Sequence, residues 1–264
     1  MKPDQPAAPL PFETLRYDPA ARADASERPG TPSADQAWAR RAPGYVRLDR
    51  HLARWQRSSA WLGLSADLEG VVAALNEAAT GFSTAQRVRV TATPDGRIEV
   101  TATPLPMTRF NDTPAAALDA AAALLAAGGR LPRAALARQR VDESDPARSH
   151  KTTSRDLYYA GRRYAEAAGL EDVLFLDTHG MVSEGSIATV FVVLGAGDEA
   201  LVVTPPLSSG ALPGVLREEL LDRGLVHERA IDEQVLRDAT AVLIGSSVRG
   251  LRRVELQGDL VDVG

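Results

Sequence analysis

The segment His150-Lys151-Thr152-Thr153-Ser154-Arg155 places a lysine between a polar loop and a predicted helix. The run Val182-Ser183-Glu184-Gly185-Ser186 lies 33 residues further on and closes a predicted strand-turn-strand stretch. A lysine amine can form an imine with an aldehyde cofactor, and a carboxylate can keep a pyridine nitrogen protonated so that the ring withdraws electrons. Lys151 and Glu184 together therefore indicate an enzyme that uses pyridoxal phosphate (PLP).

The composition of the chain excludes several classes of function. The chain has 264 residues, of which 44% are hydrophobic, which is enough for one large or two modest domains. Its 30 basic and 35 acidic residues are mixed along the sequence, so there is no basic stripe for nucleic-acid phosphates and no such partner is expected. The absence of cysteine excludes disulfides and thiolate nucleophiles, and the four histidines lack the spacing of metal ligands, so no metal site is predicted.

The sequence leads us to expect neither a membrane helix nor a secretion signal. No apolar run approaches the roughly 18 residues of a membrane helix, and the proline-rich start lacks a basic segment followed by an apolar core. We therefore expect a cytoplasmic protein that acts on a small molecule and has no membrane partner.

The sequence pattern predicts an α/β (α+β) protein with two domains. Four segments follow from it: a disordered N-terminal segment 1–11, a small α/β domain 12–110, an Ala-rich interdomain segment 111–130 and a large β-rich domain 131–264. In the small domain, Leu48, Leu52, Trp55 and Leu62 recur at helical spacing, and the turn Pro94-Asp95-Gly96 joins two alternating runs into a hairpin over 87–104. Residues 18–43 are predicted to be a surface loop.

A further helix is predicted over 66–79 in the small domain, and another over 114–127 in the Ala-rich segment. In the large domain, helices are predicted over 154–168 and 214–223, and strands over 173–177, 188–194, 201–204, 226–230 and 241–245. The helix over 214–223 opens after Leu212-Pro213-Gly214, so its first N–H groups and its dipole form a potential anion site.

Two further features suit a phosphate. Arg54 lies on a predicted helix, where its planar guanidinium can contact a phosphate dianion. The loop Gly245-Ser246-Ser247-Val248-Arg249-Gly250 follows an apolar strand and offers hydroxyl and N–H donors. Taken singly, each feature is more typical of an ordinary helix or loop than of a binding site. His51, His150 and Tyr164 are likewise interpreted as structural or solvent-exposed residues. Their order along the chain is what points to a cofactor site.

That order resembles the fold-type IV PLP enzymes, also called class IV aminotransferases, and most closely the aminodeoxychorismate lyases, especially the lyase domains fused to para-aminobenzoate synthase. The resemblance extends from residue 12 to about residue 253. Its motifs are Phe12-Glu13-Thr14-Leu15-Arg16, the run from Arg47 to Arg54, His150-Lys151-Thr152-Thr153, Leu212-Pro213-Gly214 and Ser247-Val248-Arg249-Gly250.

The resemblance implies a two-domain structure like that of D-amino acid aminotransferase, with PLP between the domains, and a homodimer. Lys151 matches the Schiff-base lysine and Glu184 the partner of the pyridine nitrogen. The positions that match phosphate ligands are Arg54, the N–H groups of Val215 and Leu216, Ser246 and Ser247. Thr14 and Arg249 are the candidates for substrate contact.

The chain also departs from the family pattern. It lacks the first strand and Gly-Asp-Gly turn of many relatives, it has Thr189 and Ser246 where asparagine is common, and 114–127 looks like an insertion. The implied reaction is the conversion of 4-amino-4-deoxychorismate to 4-aminobenzoate and pyruvate. The alternatives are an aminotransferase for D-amino or branched-chain amino acids, and a diverged protein that binds without turnover.

Overall fold

A computed structural model describes residues 8–24, 37–106 and 110–264. The chain divides into two compact units, the first comprising Met1–Thr108 with His150–Ser154 and the second comprising Arg109–Ser149 with Arg155–Gly264. Each unit contains helices and a β-sheet. The predicted α/β (α+β) class is therefore confirmed.

The first unit is built on a three-stranded antiparallel sheet. Its strands are Phe12–Tyr17 (β1), Gln86–Ala92 (β2) and Ile98–Pro104 (β3), in the order β1-β2-β3. The predicted hairpin over 87–104 is thus present as β2 and β3. The helices of this unit are Pro19–Asp24 (α1), Ala37–Arg41 (α2), Leu48–Trp61 (α3) and Leu68–Ala79 (α4).

One face of this sheet carries the apolar core of the first unit. Side chains alternate between the two faces of a strand, so Leu15 of β1 and Val88 of β2, which are register partners, point to the same side. Helix α3 covers that side with Leu48, Leu52 and Trp55, all of them buried. The helical spacing of these three residues in the sequence is confirmed. The core side also fixes which residues of β1 face away from it.

The second unit contains an eight-stranded mixed sheet in the order β6-β5-β4-β11-β10-β7-β8-β9. Its strands are Arg133–Val141 (β4), Asp172–Asp177 (β5), Val182–Gly185 (β6), Thr189–Leu194 (β7), Leu201–Thr204 (β8), His227–Glu228 (β9), Ala241–Ser246 (β10) and Gly250–Val261 (β11). Its helices are Pro114–Ala126 (α5), Asp156–Ala168 (α6), Val215–Asp222 (α7) and Glu233–Arg237 (α8). Among the residues described, no helix combines the length and the apolarity needed to cross a bilayer.

Several segments differ from the sequence predictions. The Ala-rich helix α5 is part of the second unit, because it packs against β11, places Ala117 in an apolar cluster of that unit and also buries Ala121. Strands β4 and β11 were not predicted. Within the predicted loop 18–43, the described residues include α1 and α2, and residues 25–36 lie outside the described part.

The segment that contains Lys151 joins the first unit, although the sequence division placed it in the large domain. The reason is backbone pairing with the start of β1. The Thr153 N–H donates to the Leu10 carbonyl at 2.9 Å, the Phe12 N–H donates to the Lys151 carbonyl at 3.1 Å, and Pro11 pairs with Thr152 in an antiparallel bridge. Residues 10 and 11 are therefore paired rather than disordered, and residues 1–7 lie outside the described part.

Candidate active site

Lys151 is held from two sides by the first unit. Its N–H donates to the Ser58 hydroxyl of α3 at 3.1 Å, and its carbonyl accepts from Phe12 at 3.1 Å. Its Nζ lies 4.4 Å from the centroid of the Phe12 ring. The preceding residue, His150, stacks on Trp61 with ring centroids 4.6 Å apart and an interplanar angle of 14°. The lysine thus projects from a backbone whose position is fixed by β1 and α3.

Arg54 lies in the same unit, on α3, in a buried ionic cluster. Its Nε and Nη2 each donate to the Glu13 carboxylate at 2.7 Å, and Nδ1 of His51 lies 2.8 Å from the same carboxylate. Burial alone would raise the pKa of Glu13, but the charges and hydrogen bonds of Arg54 and His51 outweigh it and hold that pKa well below its usual range. Burial lowers the pKa of His51, so a neutral ring that donates through Nδ1 satisfies the pair.

Glu184 lies on β6 of the second unit and is 5% exposed. Its Oε1 is 3.6 Å from Nη2 of Arg155, beyond hydrogen-bond distance, and has no hydrogen-bond partner among the described residues. The Arg155 guanidinium stacks over the Tyr158 ring at 4.1 Å. Burial, assisted by the Glu184 charge, raises the pKa of Tyr158. A buried carboxylate oxygen without a donor is costly, so this position fits a ligand that brings an N–H group.

The start of α7 follows a glycine and packs closely against β7. Val215 and Leu216 in its first turn are buried, and the preceding residue, Gly214, supplies no side-chain cap. A Cβ on Gly214 would lie 2.6 Å from Oγ1 of Thr189, so a side chain there would collide with that hydroxyl. The glycine therefore lets Thr189 pack closely against the start of α7, and the N–H groups of a helix start are of the kind that suit an anion.

The β10–β11 turn lies beside this helix start. Thr189 pairs with Gly245 across β7 and β10, and a Cβ on Gly245 would lie 3.1 Å from Cδ2 of Leu216. Ser246 and the buried Ser247 follow directly. The second unit thus brings together Val215, Leu216, Ser246 and Ser247, which were predicted from separate motifs.

The two substrate candidates have different surroundings. Arg249 lies in the β10–β11 turn. Its Nη1 is 3.3 Å from the Glu171 carboxylate, and its backbone N–H donates to the Ser246 hydroxyl at 3.3 Å. This arginine therefore already has a carboxylate partner within the protein. Thr14 lies in the middle of β1, partly buried, on the strand face that also carries Phe12.

The family follows from a match over most of the chain. The model of the family described as amino-transferase class IV matches residues 38–256. The chain belongs to this family. It is 35% identical to the aminodeoxychorismate lyase of Saccharomyces cerevisiae over 116 residues, which cover 39% of this chain and 31% of the yeast protein. It is 43% identical to a branched-chain-amino-acid aminotransferase of Mycobacterium tuberculosis over 77 residues, which cover 26% of this chain and 21% of that protein.

The chain therefore spans less than a third of the length of these two curated relatives. Among solved structures, a proposed amino-acid aminotransferase from Mesorhizobium loti is similar over the whole fold. The two are 29% identical and superpose with a TM-score of 0.73. The match covers 94% of this class IV chain and 100% of the Mesorhizobium chain.

Sequence reasoning missed several residues of the site. Phe12 and Glu13 were quoted only as parts of a motif, because their contacts with Lys151 and Arg54 join residues far apart in the chain. Arg155 and Tyr158 follow Lys151 by four and seven residues. Both residues lie at the start of the helix predicted over 154–168, directly after Lys151, and this position is the signal that could have identified them.

Proposed function

We propose that the chain is a PLP-dependent enzyme and that it acts as an aminodeoxychorismate lyase. The observation that carries the cofactor assignment is the buried Glu184 oxygen without a hydrogen-bond donor. A protonated pyridine nitrogen is such a donor, and Lys151 supplies the amine that an aldehyde requires. The resemblance to fold-type IV enzymes further supports a homodimer that acts on a small-molecule substrate.

Each cofactor contact follows from the chemistry of the residue. Lys151 would be the covalent attachment point, and Glu184 would hold the proton of the ring nitrogen. The phosphate would be held by the Val215 and Leu216 N–H groups, the hydroxyls of Ser246 and Ser247, and the guanidinium of Arg54. Because Glu13 holds Arg54 through Nε and Nη2, the guanidinium has a fixed orientation.

When bound, PLP supplies an aldehyde that captures the substrate amine and a ring that withdraws electrons from the adjoining carbon. The Lys151 amine removes the proton from the amine-bearing carbon, while Glu184 keeps the ring nitrogen protonated. The bond between the substrate ring and the enolpyruvyl oxygen then breaks, and the leaving enol gains a proton and becomes pyruvate. Loss of the C–H and C–O bonds leaves the ring aromatic as 4-aminobenzoate. Thr14 and Arg249 are the proposed substrate contacts.

The lyase assignment is favoured by the length of its match. The similarity to the yeast lyase extends over 116 residues, against 77 for the mycobacterial aminotransferase. The second candidate is an aminotransferase for D-amino or branched-chain amino acids, favoured by the higher identity, 43%, of that shorter match. In that reaction Lys151 would carry a proton from the α-carbon of the amino acid to the cofactor. The same cofactor contacts serve both reactions.

The cofactor assignment has a direct chemical test. The sequence contains two lysines, Lys2 and Lys151. Borohydride reduction of the PLP-loaded protein, followed by peptide mass spectrometry, should place the cofactor mass on the Lys151 peptide. The Lys2→Arg variant should label as the wild type does, and Lys151→Ala should lose the label, the visible absorption band and the activity. A label on Lys2, or none on either lysine, would refute the assignment.

The reaction is tested with two substrates. Release of both pyruvate and 4-aminobenzoate from 4-amino-4-deoxychorismate supports the lyase. Conversion of the bound cofactor to its pyridoxamine form by D-alanine or L-leucine alone supports the aminotransferase. A protein that carries the label on Lys151 and performs neither reaction would contradict both.

A further inference from the structure

The second unit contains a cleft that shares no residue with the proposed cofactor site. Its volume is about 570 Å³, within the range of roughly 300–1,000 Å³ that is usual for small-molecule sites. The cleft opens where β4 and β10 begin, between the end of α5 and the end of α8. Ala241 lines it at the start of β10, and Ser246 of the proposed phosphate site lies at the other end of this strand, roughly 16 Å away.

Three charged side chains that line the cleft have no ionic partner among the residues that the structure describes. Arg130 lies in the loop between α5 and β4, and Arg253 and Glu255 lie on β11. Arg237, which also lines the cleft, is by contrast paired with Glu233 at 2.7 Å. The cleft therefore offers two cationic groups and one anionic group to a small molecule.

Opposite charges lie near each other along β11. Side chains two residues apart share a face of a strand, so Arg253 and Glu255 project to the same side, roughly 7 Å apart along the strand. The hydrogen bond that Arg253 makes among the described residues is a long one, from Nη2 to the Thr240 carbonyl at 3.4 Å. Its other N–H groups can donate to a carboxylate, and the Glu255 oxygens can accept from an ammonium group.

Apolar side chains form other parts of the cleft wall. Leu125 of α5 is 45% exposed, and Leu131 and Leu256 are half-buried. Removal of apolar surface from water is favourable, so a molecule with an apolar body gains free energy by covering these leucines. A plain anion would leave Glu255 unpaired, and a plain cation would leave the arginines unpaired. A zwitterion pairs with both kinds of group.

We propose that this cleft binds an α-amino acid with an apolar side chain. The carboxylate of the amino acid pairs with Arg130 and Arg253, its ammonium group pairs with Glu255, and its side chain covers Leu125. This second site goes beyond the proposed function, because none of its residues belongs to the cofactor site and it does not depend on which reaction the chain performs.

The test measures equilibrium binding by calorimetry to the PLP-loaded, borohydride-reduced protein, in which Lys151 cannot form an imine with a probe. The probes are L-phenylalanine, 3-phenylpropionate, which lacks the ammonium group, and 2-phenylethylamine, which lacks the carboxylate. The variants are Arg130→Gln, Arg253→Gln and Glu255→Gln. The matched control is Arg138→Gln, which changes an exposed arginine of β4 outside the cleft.

We expect the wild type to bind L-phenylalanine at least about tenfold more tightly than either singly charged probe. Each of the three cleft variants should weaken L-phenylalanine binding by about tenfold, since each loses a charge-assisted contact. The control should change it less than about twofold. A wild type that binds no L-phenylalanine, or binds 3-phenylpropionate as tightly, would overturn the inference, as would unchanged L-phenylalanine binding by any of the three variants. These titrations test the cleft whether or not Lys151 carries the label.

Discussion

Glu13 and Arg54 form a two-point ion pair in the interior of the first unit, with both N–O distances at 2.7 Å. The two side chains are 3% and 5% exposed. The pair is geometrically specific because the planar guanidinium matches the two carboxylate oxygens. Glu13 therefore orients Arg54, which is the proposed phosphate contact, and Glu13 itself is not proposed to contact the phosphate.

Glu13→Gln should weaken both the fold and cofactor retention. An amide offers one acceptor oxygen, and its NH₂ group faces the Arg54 donors, so the arginine charge stays buried without its full partner. Breaking a buried pair of this kind costs about 3 kcal/mol. The free energy of unfolding in urea and the PLP content after dialysis measure the two effects.

The matched control for that variant is Glu69→Gln, which changes the exposed Glu69–Arg41 pair of the same unit. Solvent screens exposed pairs, so this control should change little. If Glu13→Gln retained PLP and stability as the control does, the orienting role of Glu13 would be wrong.

Ser58→Ala should loosen the backbone of Lys151. The Ser58 hydroxyl accepts the Lys151 N–H at 3.1 Å, and its loss leaves that N–H unsatisfied at a cost of roughly 1–3 kcal/mol. We expect a lower kcat with little change in KM, and a shifted pH dependence of the visible band, because the amine loses its fixed position.

The neighbouring residue provides a close control for this prediction. Ser59 is as buried as Ser58, and its hydroxyl has no hydrogen-bond partner among the described residues. Ser59→Ala should therefore leave kcat and the visible band unchanged. Equal effects of the two substitutions would indicate a general packing defect in α3.

The elements that were predictable from the sequence are those with a strong local signal. Helix α3 shows its apolar spacing, the β2–β3 hairpin shows its turn, and α7 begins directly after Pro213-Gly214. These features depend on residues close together in the chain.

The features that were missed depend on tertiary contacts. Strand β4 contains three alanines, which favour helix, and becomes a strand because β5 and β11 flank it as parallel partners. Strand β11 contains many charged and polar residues, so the sequence lacks the continuous alternation that would indicate a strand of its length. The Glu13–Arg54 pair and the Thr14–Arg89 register join residues 41 and 75 positions apart. No local pattern reveals such pairings.

Gly214→Ala should destabilise the start of α7. A Cβ at this position would lie 2.6 Å from Oγ1 of Thr189, and overpacking of this kind costs about 1–3 kcal/mol. The displaced helix start should also bind phosphate less well, so PLP content after dialysis should fall.

The double variant Gly214→Ala/Thr189→Ala isolates that contact, because it removes the atom that the new Cβ would meet. It should recover most of the stability lost by Gly214→Ala, and a double-mutant cycle measures the coupling. Gly258→Ala serves as the control, since a Cβ there meets nothing within 4 Å. Strictly additive effects would show that the Thr189 hydroxyl does not require the glycine.

Asp172 predicts a pH dependence of stability. Burial raises the pKa of this carboxyl to about 6, and hydrogen bonds from the hydroxyl and N–H of Ser186 and from the N–H of Val173 limit the rise. The ordinary value is 3.8, so between these two values the folded protein binds more protons than the unfolded chain. Stability therefore declines as pH rises through this window.

Asp172→Asn cannot titrate and should remove that decline. Between pH 4 and pH 7, the wild type should lose on the order of 3 kcal/mol of unfolding free energy relative to the variant. The control is Asp142→Asn, because a hydrogen bond from the Ser144 hydroxyl lowers the pKa of this exposed carboxyl and gives a pH dependence of opposite sign. Urea unfolding at several pH values measures the free energy of unfolding of the wild type and of both variants. Parallel curves for the wild type and Asp172→Asn would mean that Asp172 titrates alike in the folded and unfolded chain.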